Sequence, residues 1–587
     1  MNNQLRLTFG RAARIGLIGG LVALFLCLVG IVGVFNKRSL IEGIISLGQF
    51  SILLSALGVG YIAAKSASDQ MQKGVLWPFL AGILSGFLTG AVVAIFVMIG
   101  YRINIRTVFI TASPVLYDLL TFGRGPAGIW LLPGVGAFLG ALSALTYKTP
   151  PWIQRPLVRG LTAVILSGLF AGLVRPLLIV WGGWPEALGR FLFGSTGVTP
   201  AGALTTFVVI SGIVAVWSAR GKAMRERVRQ WPPAGQAALR WTFFGLAFIL
   251  ALALPLFSGA FLAQVIVLIS INILMGLGLN ITLGFAGLLD LGFVAFFAMG
   301  AYTVGLLTSY GEYGLAHLSF WAVVPIAIFV AFMIGAFLGL PVLRIRGDYL
   351  AIATLGFGEI VRLLAGSDFL GLWLGGPQGV IGIQKPCIGW LGPYLGVGIP
   401  RVCNGLELGG PKEIYYLAVI SAILVAFVAT RLRDSRLGRA WMAIREDEDV
   451  AESLGVNLIQ TKLLAYMLGA SFAGLGGAIF GTLVGSIFAS SMQLLVSINV
   501  VCLIIVGGMG SIPGVVVGAI ALIGLPEAFR EFAEYRLLFY GAALIGMMLA
   551  KPGGLFPSAI VQRELHVAEE MEEPSDASIS VASANLE

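Results

Sequence analysis

Charge and histidine are scarce in this chain. Of its 587 residues 11% are charged and only 2 are His, against 58% that are hydrophobic. There are 4 Cys, with no CxxC spacing and no paired His, so a metal site has almost no ligands to draw on and none is expected. The chain contains no G-x-x-x-x-G-K-[ST] phosphate loop, no G-x-S-x-G elbow and no H-E-x-x-H. Those gaps exclude the familiar routes to ATP hydrolysis, acyl transfer and zinc-assisted hydrolysis, so no catalytic residue and no cofactor of its own is expected. The formal net charge of +9 does not point to nucleic acid either. Its basic residues sit at the ends of apolar runs, where the cytoplasmic loops of membrane proteins hold them.

Apolar runs are what the chain has in quantity, together with 80 Gly and 37 Phe. Runs of about 20 apolar residues can cross a bilayer. They place spans near 15–35, 42–64, 75–99, 127–146, 160–181 and 202–218, and then near 240–257, 261–283, 288–308, 320–343, 349–366, 414–430, 459–486, 492–508, 513–529 and 537–551. The fold class is therefore an all-α polytopic membrane protein of about 16 membrane-embedded helices, with the lipid bilayer as its surroundings. Arg6, Arg11 and Arg14 before the first run imitate a signal peptide. The run is long and lacks a convincing small-residue cleavage site, which favours a retained span.

Basic residues orient the spans. Arg6 to Arg14, then Lys65 and Lys73, then Lys148, Arg155 and Arg159 share one side; by the positive-inside rule that side is cytoplasmic, although Lys37, Arg38, Arg102 and Arg106 fall opposite. The run Ser218 to Pro233, SARGKAMRERVRQWPP, separates two hydrophobic blocks. The organisation expected is an N-terminal membrane domain over 1–218, a basic cytoplasmic linker over 219–237, a second membrane domain over 238–561 and a disordered acidic tail over 562–587. Both termini are expected in the cytoplasm of a bacterial-type cell, with the membrane domains in its plasma (inner) membrane.

Counting spans puts the loop Ser367–Lys412 outside. Cys387 and Cys403 lie in it and form either a disulfide, if the compartment is oxidising, or two free thiols. The same count puts Ser435 to Gly455, SRLGRAWMAIREDEDVAESLG, inside. This stretch is too charged for hydrocarbon, where each ionised group costs about 2.5–3.5 kcal/mol even on lenient insertion scales. Read as one helix from Gly438, it gathers Ala440, Ala443, Ile444, Ala451 and Leu454 on one face, with Arg445, Glu446, Glu448, Asp449 and Glu452 mostly elsewhere. That apolar face is expected to be covered only by a partner.

Polar residues inside spans concentrate in the second block: Asn280, Asp290, Thr354, Glu359 and Arg362. Groups of this kind need partners or water, so the working cavity is expected there. Glu359 and Arg362, three apart on one helix, read either as a mutually neutralising pair or as part of a gate that meets a zwitterion. The run Asn280–Tyr302 carries Gly284, Gly287, Gly292 and Gly300. Such glycines serve close helix packing or a broken helix that lines a cavity. Gly375 and Gly376 open a second glycine-rich loop, and Gly507 to Gly518 a third.

Five pieces in order, LNITLGFAGLLDLGFVAFFAMGAY, RIRGDYLAIATLGFGEIVRLL, GGPQGVIGI, SRLGRAWMAIREDEDVAESLG and IVGGMGSIPGVVVGA, make residues from about Ile271 to Phe556 resemble the M-type permease subunit of branched-chain (hydrophobic) amino-acid ABC importers. The resemblance implies an ABC importer permease core whose partners are two ABC ATPase subunits, a second permease subunit and an extracytoplasmic solute-binding protein. ATP would be used by those partner subunits alone. It further implies that Gly438, Arg439, Ala443, Ile444, Arg445, Glu446, Glu448, Leu454 and Gly455 form the loop that docks on the ATPase. On the same expectation Asn280, Gly284, Gly287, Asp290, Thr354, Glu359, Gly375 and Gly376 line the translocation path. A urea or short-amide importer shares the family, and an ion-coupled secondary transporter using Asp290 and Glu359 is the rival from another class. The first 235 or so residues are outside the resemblance. They lack a second charged loop and a second Gly-Gly-Met-Gly run, which fits an accessory domain rather than a fused permease half.

Overall fold

The computed structural model describes residues 2–70, 76–180, 183–229, 259–342, 348–524 and 553–557, with a few isolated positions between them. The acidic tail 562–587, most of the expected spans 240–257 and 537–551, and the linker from residue 230 onwards, apart from Gly235, lie outside the described residues. The chain divides into two compact units, Met1–Ala251 and Leu252–Glu587. Among the described residues, 11 helices are long and apolar enough to cross a membrane.

In the first unit the helices are α1 (Asn2–Val29), α2 (Ile31–Phe35), α3 (Leu47–Gln70), α4 (Leu76–Arg102), α5 (Pro114–Leu120), α6 (Leu131–Lys148), α7 (Pro151–Leu169), α8 (Ala171–Val180), α9 (Gly183–Leu192) and α10 (Pro200–Arg229). Helices α1, α3, α4 and α6 pack on one another, and α7 packs on α10. The α4–α6 seam is built from backbone. A Cβ on Gly82, Gly86 or Gly90 would run into the main chain of Gly140, Gly136 or Leu132, so only glycine lets these axes approach so closely. A short antiparallel ribbon, β1 (Ser39–Ile41) with β2 (Ile45–Ser46), receives the loop that follows α9: Ser39 N donates to Thr196 O and Glu42 N to Val198 O. Glu42 in turn accepts from the backbone and hydroxyl of Ser195, which holds its carboxyl below the ordinary carboxylate value. The expected span 160–181 takes another form, breaking at Phe170 between α7 and α8. Within α8, Pro176 offers no N–H to the carbonyl of residue 172.

In the second unit follow α11 (Ala260–Leu279), α12 (Val294–Thr308), α13 (Phe320–Val342), α14 (Asp348–Gly366), α15 (Asp368–Leu374), α16 (Pro411–Asp434), α17 (Arg436–Glu446), α18 (Glu448–Ser453), α19 (Leu458–Val484), α20 (Leu494–Gly507) and α21 (Ile512–Ala519). Helix α19 is the hub. It packs against α11, α12 and α13 and is the most buried of the spans. Its glycines make this possible: a Cβ on Gly477 would strike the carbonyl of Phe297, and one on Gly300 of α12 the backbone of Gly474. Beyond its end, β6 (Ser486–Ile487) pairs with β3 (Val380–Ile381), while β4 (Cys387–Leu391) pairs with β5 (Cys403–Glu407). A disulfide joins Cys387 to Cys403 across that hairpin.

One expected span of this unit is shorter than the run that suggested it, and a second is described only in part. The stretch 288–308 is helical only from Val294, and 513–529 is described as α21 followed by a π-turn, Ile520–Gly524. The charged stretch also differs, forming two helices rather than one. Asp447 is extended, and its carboxylate accepts from the N–H groups of Asp449 and Val450, ending α17 and capping α18. Its apolar face is not left open for a partner. Trp441, Ile444 and Ala451 are buried within this chain, and Leu454 alone of that face stands exposed.

Candidate functional site

Helix α11 does not stop cleanly. It widens into a π-turn, Asn280–Phe285, and the chain then leaves helical geometry at Gly287, whose φ of +72° a side chain would resist. Single π-turns inside helices occur frequently at functional sites. The freed segment is held from several distant parts of the chain. Asn280 Oδ1 accepts from Gly510 N at 2.9 Å, tying the turn to the glycine-rich loop before α21. Arg445, from the charged stretch, donates Nη1–H to Gly284 O at 2.7 Å, and its side-chain carbons lie against Gly287. At the far end, Ser497 of α20 accepts from Val294 N at 2.9 Å and so caps α12.

Between these anchors lies Asp290, which is fully buried. Its Oδ1 accepts from Gly292 N at 2.8 Å. Thr354 of α14, also buried, accepts from Leu291 N at 3.1 Å, and a Cβ on Gly292 would collide with the Thr354 carbonyl. The hydroxyls of Tyr466, on α19, and of Thr354 face the same carboxyl.

Helix α19 connects this centre to both flanking groups. At its start, Thr461 O accepts from the indole of the buried Trp441, and Lys462 pairs with Glu448 at 2.5 Å. At its other end, Lys385 donates to Thr482 O at 2.7 Å, where burial lowers its ammonium below the ordinary lysine value. With 27 residues, α19 spans about 40 Å. Gly375 and Gly376, both in left-handed conformations, lead into β3 beside the end of α19 to which Lys385 donates.

The sequence candidates thus fall into separate groups. Asn280, Gly284, Gly287 and Arg445 meet, and so do Asp290 and Thr354. Glu359 is engaged by Arg362 three residues on, with both side chains partly exposed, and Gly375 and Gly376 belong to the loop preceding β3. In the charged stretch Gly438 sits against the carbonyls of Leu432 and Arg433, Ile444 is buried and Ala443 half-buried. Arg439, Glu446, Leu454 and Gly455 are exposed. Sequence reasoning misses Trp441, Lys462, Tyr466 and Ser497. Tyr466 and Ser497 each offered one signal, a polar group inside an apolar run.

A helical bundle with many apolar spans and a broken, multiply anchored helix defines a multi-pass membrane protein. The sequence profile described as "Branched-chain amino acid transport system / permease component" matches residues 261–548. The high-affinity branched-chain amino acid transport system permease protein LivM of Escherichia coli K12 is 38% identical over 345 residues, which cover 56% of this chain and 78% of that protein. The chain belongs to this permease family, as a component of a multi-subunit transporter. The permease protein LivH of Salmonella typhimurium LT2 is 28% identical over 179 residues, and BraD of Pseudomonas aeruginosa is 30% identical over 177. No solved structure matches.

Proposed function

We propose that this chain is the permease subunit of an ATP-driven ABC importer for branched-chain or other hydrophobic amino acids. One of two separate ATPase subunits docks on the stretch from Ser435 to Gly455, a second permease subunit completes the path, and an extracytoplasmic solute-binding protein delivers the solute. Both termini face the cytoplasm, and the first unit is an accessory membrane domain. The reading draws on what the relatives are named for and on one observation above all. Arg445, in the charged stretch, holds the carbonyl of Gly284 in the π-turn. A displacement of α17 by a docked ATPase would therefore pull directly on the break in α11.

The test is Arg445→Ala in the whole complex, reconstituted with its ATPases and binding protein. A hydrogen bond to a charged group contributes about 1.5–3 kcal/mol, so uptake per ATP hydrolysed should fall about ten- to a hundredfold. The ATPase subunits should still co-purify, and Arg445→Lys should recover part of the loss. Unchanged coupling in Arg445→Ala would sink the proposal. Leucine set against urea and acetamide as competing solutes decides the substrate class.

A further inference from the structure

The carboxyl of Asp290 is incompletely answered by the protein. Its Oδ1 has the N–H of Gly292, but Oδ2 is buried and no protein atom is in hydrogen-bonding geometry with it. The groups that face it, the hydroxyls of Tyr466 and Thr354 and the backbone of Gly292, are all neutral. The cationic side chains on the elements that supply these groups or touch the π-turn are engaged elsewhere: Arg362 of α14 with Glu359, Lys462 of α19 with Glu448, and Arg445 with Gly284 O. Leaving a buried acceptor unmet is costly, and more so when it is charged. Protonation answers this only by turning the O–H onto one of those neutral hydroxyl oxygens. A visiting cationic donor satisfies the ionised form. The carboxyl also lies in the non-helical segment between the π-turn and α12, a setting that in transporters serves solute or ion binding.

We infer that Asp290 is the anionic subsite that receives a small monovalent cationic group, namely the α-ammonium of the transported amino acid, with the hydroxyls of Tyr466 and Thr354 beside it. This rests on the importer reading above, and it deepens that reading by naming which part of the solute is recognised. An inorganic cation has the same chemistry, and the experiment separates the two sources.

Two measurements are made on wild type, Asp290→Asn and Asp290→Glu. One is ATP-driven uptake of L-leucine by the reconstituted complex. The other is the thermal shift of the purified full-length chain on adding L-leucine, NaCl or choline chloride. Asp290→Asn should lower leucine uptake about ten- to a hundredfold and abolish the leucine-induced shift, with subunit association unchanged. Asp290→Glu, which keeps the charge and moves it by one methylene, should retain part of both and carries the test if the Asn variant does not fold. If the shift that depends on Asp290 follows NaCl and neither leucine nor choline chloride, the subsite stands and its ligand is an inorganic cation. If wild type takes up no leucine and shifts with NaCl in an Asp290-dependent way, the importer reading fails while the cation subsite survives. Wild-type uptake together with wild-type shifts in Asp290→Asn overturns the inference.

Discussion

The two units place their long-range hydrogen bonds differently. In the first, the hydroxyls of Thr121 and Ser143 donate to carbonyls four and three residues back, and those of Ser85 and Thr89 do so while also reaching the packed helices at Val59 of α3 and Gly16 of α1. In the second, Thr282, Thr308, Ser471 and Thr482 bond locally too, and a set of bonds between elements far apart in sequence converges on the broken segment between α11 and α12: Thr354 to Leu291, Arg445 to Gly284, Ser497 to Val294, Asn280 to Gly510. Local bonds quiet a polar atom and leave the helix free to pack by shape, as the glycine seam of α4 and α6 does. Bonds between elements do more, because they make the conformation of one motif depend on the position of another. That dependence is what a coupled transporter needs and a passive membrane domain does not.

The contrast can be tested by damaging each unit in its own idiom. The largest effect is expected from Trp441→Ala. It removes a fully buried indole that both fills the core and bonds to Thr461 O, and Trp-to-Ala changes of this kind cost about 3–5 kcal/mol. Thermal unfolding of the purified chain should drop sharply, and α17 should lose its seat on α19. A second variant, Gly86→Leu, wedges open the α4–α6 seam, an overpacking worth about 1–3 kcal/mol. Stability should fall while uptake by the complex stays near wild type. If uptake instead collapsed with Gly86→Leu, the proposed accessory role of the first unit would be wrong.

The smallest effect is a matter of pH. The carboxyl of Glu42 is held below its ordinary value near 4.5 by Ser195, so the ionised form is the one the fold favours. Its contribution is present above the unfolded value and disappears as pH falls through the folded one. The melting temperatures of wild type and Glu42→Gln should therefore differ slightly at neutral pH and converge in acid. A gap that widened in acid would contradict the bond to Ser195.

Much of the fold could be read without coordinates, because the rule involved is simple: about 20 apolar residues form a helix wherever the surroundings are lipid. The misread stretches show where that rule stops. Both 160–181 and 288–308 are apolar throughout most of their length, yet one breaks at Phe170, and a left-handed Gly287 with the Asp290 side chain bonded to Gly292 N holds the other open. Hydropathy counts side chains and does not see where backbone hydrogen bonds go. The site was legible as a set of residues and not as an arrangement. Arg445 was assigned to the surface of an amphipathic helix, whereas its guanidinium reaches back to Gly284, 161 positions away.

The sequence by itself therefore determined the membrane class and the family, since composition, run length and ordered motifs are properties of the chain alone. Tertiary structure alone decided which polar groups meet. A carboxyl at 290, a hydroxyl at 466 and another at 354 become one cluster only when three helices close around them. The same packing leaves one oxygen of Asp290 without a protein donor, because burial removes water and supplies no partner in its place.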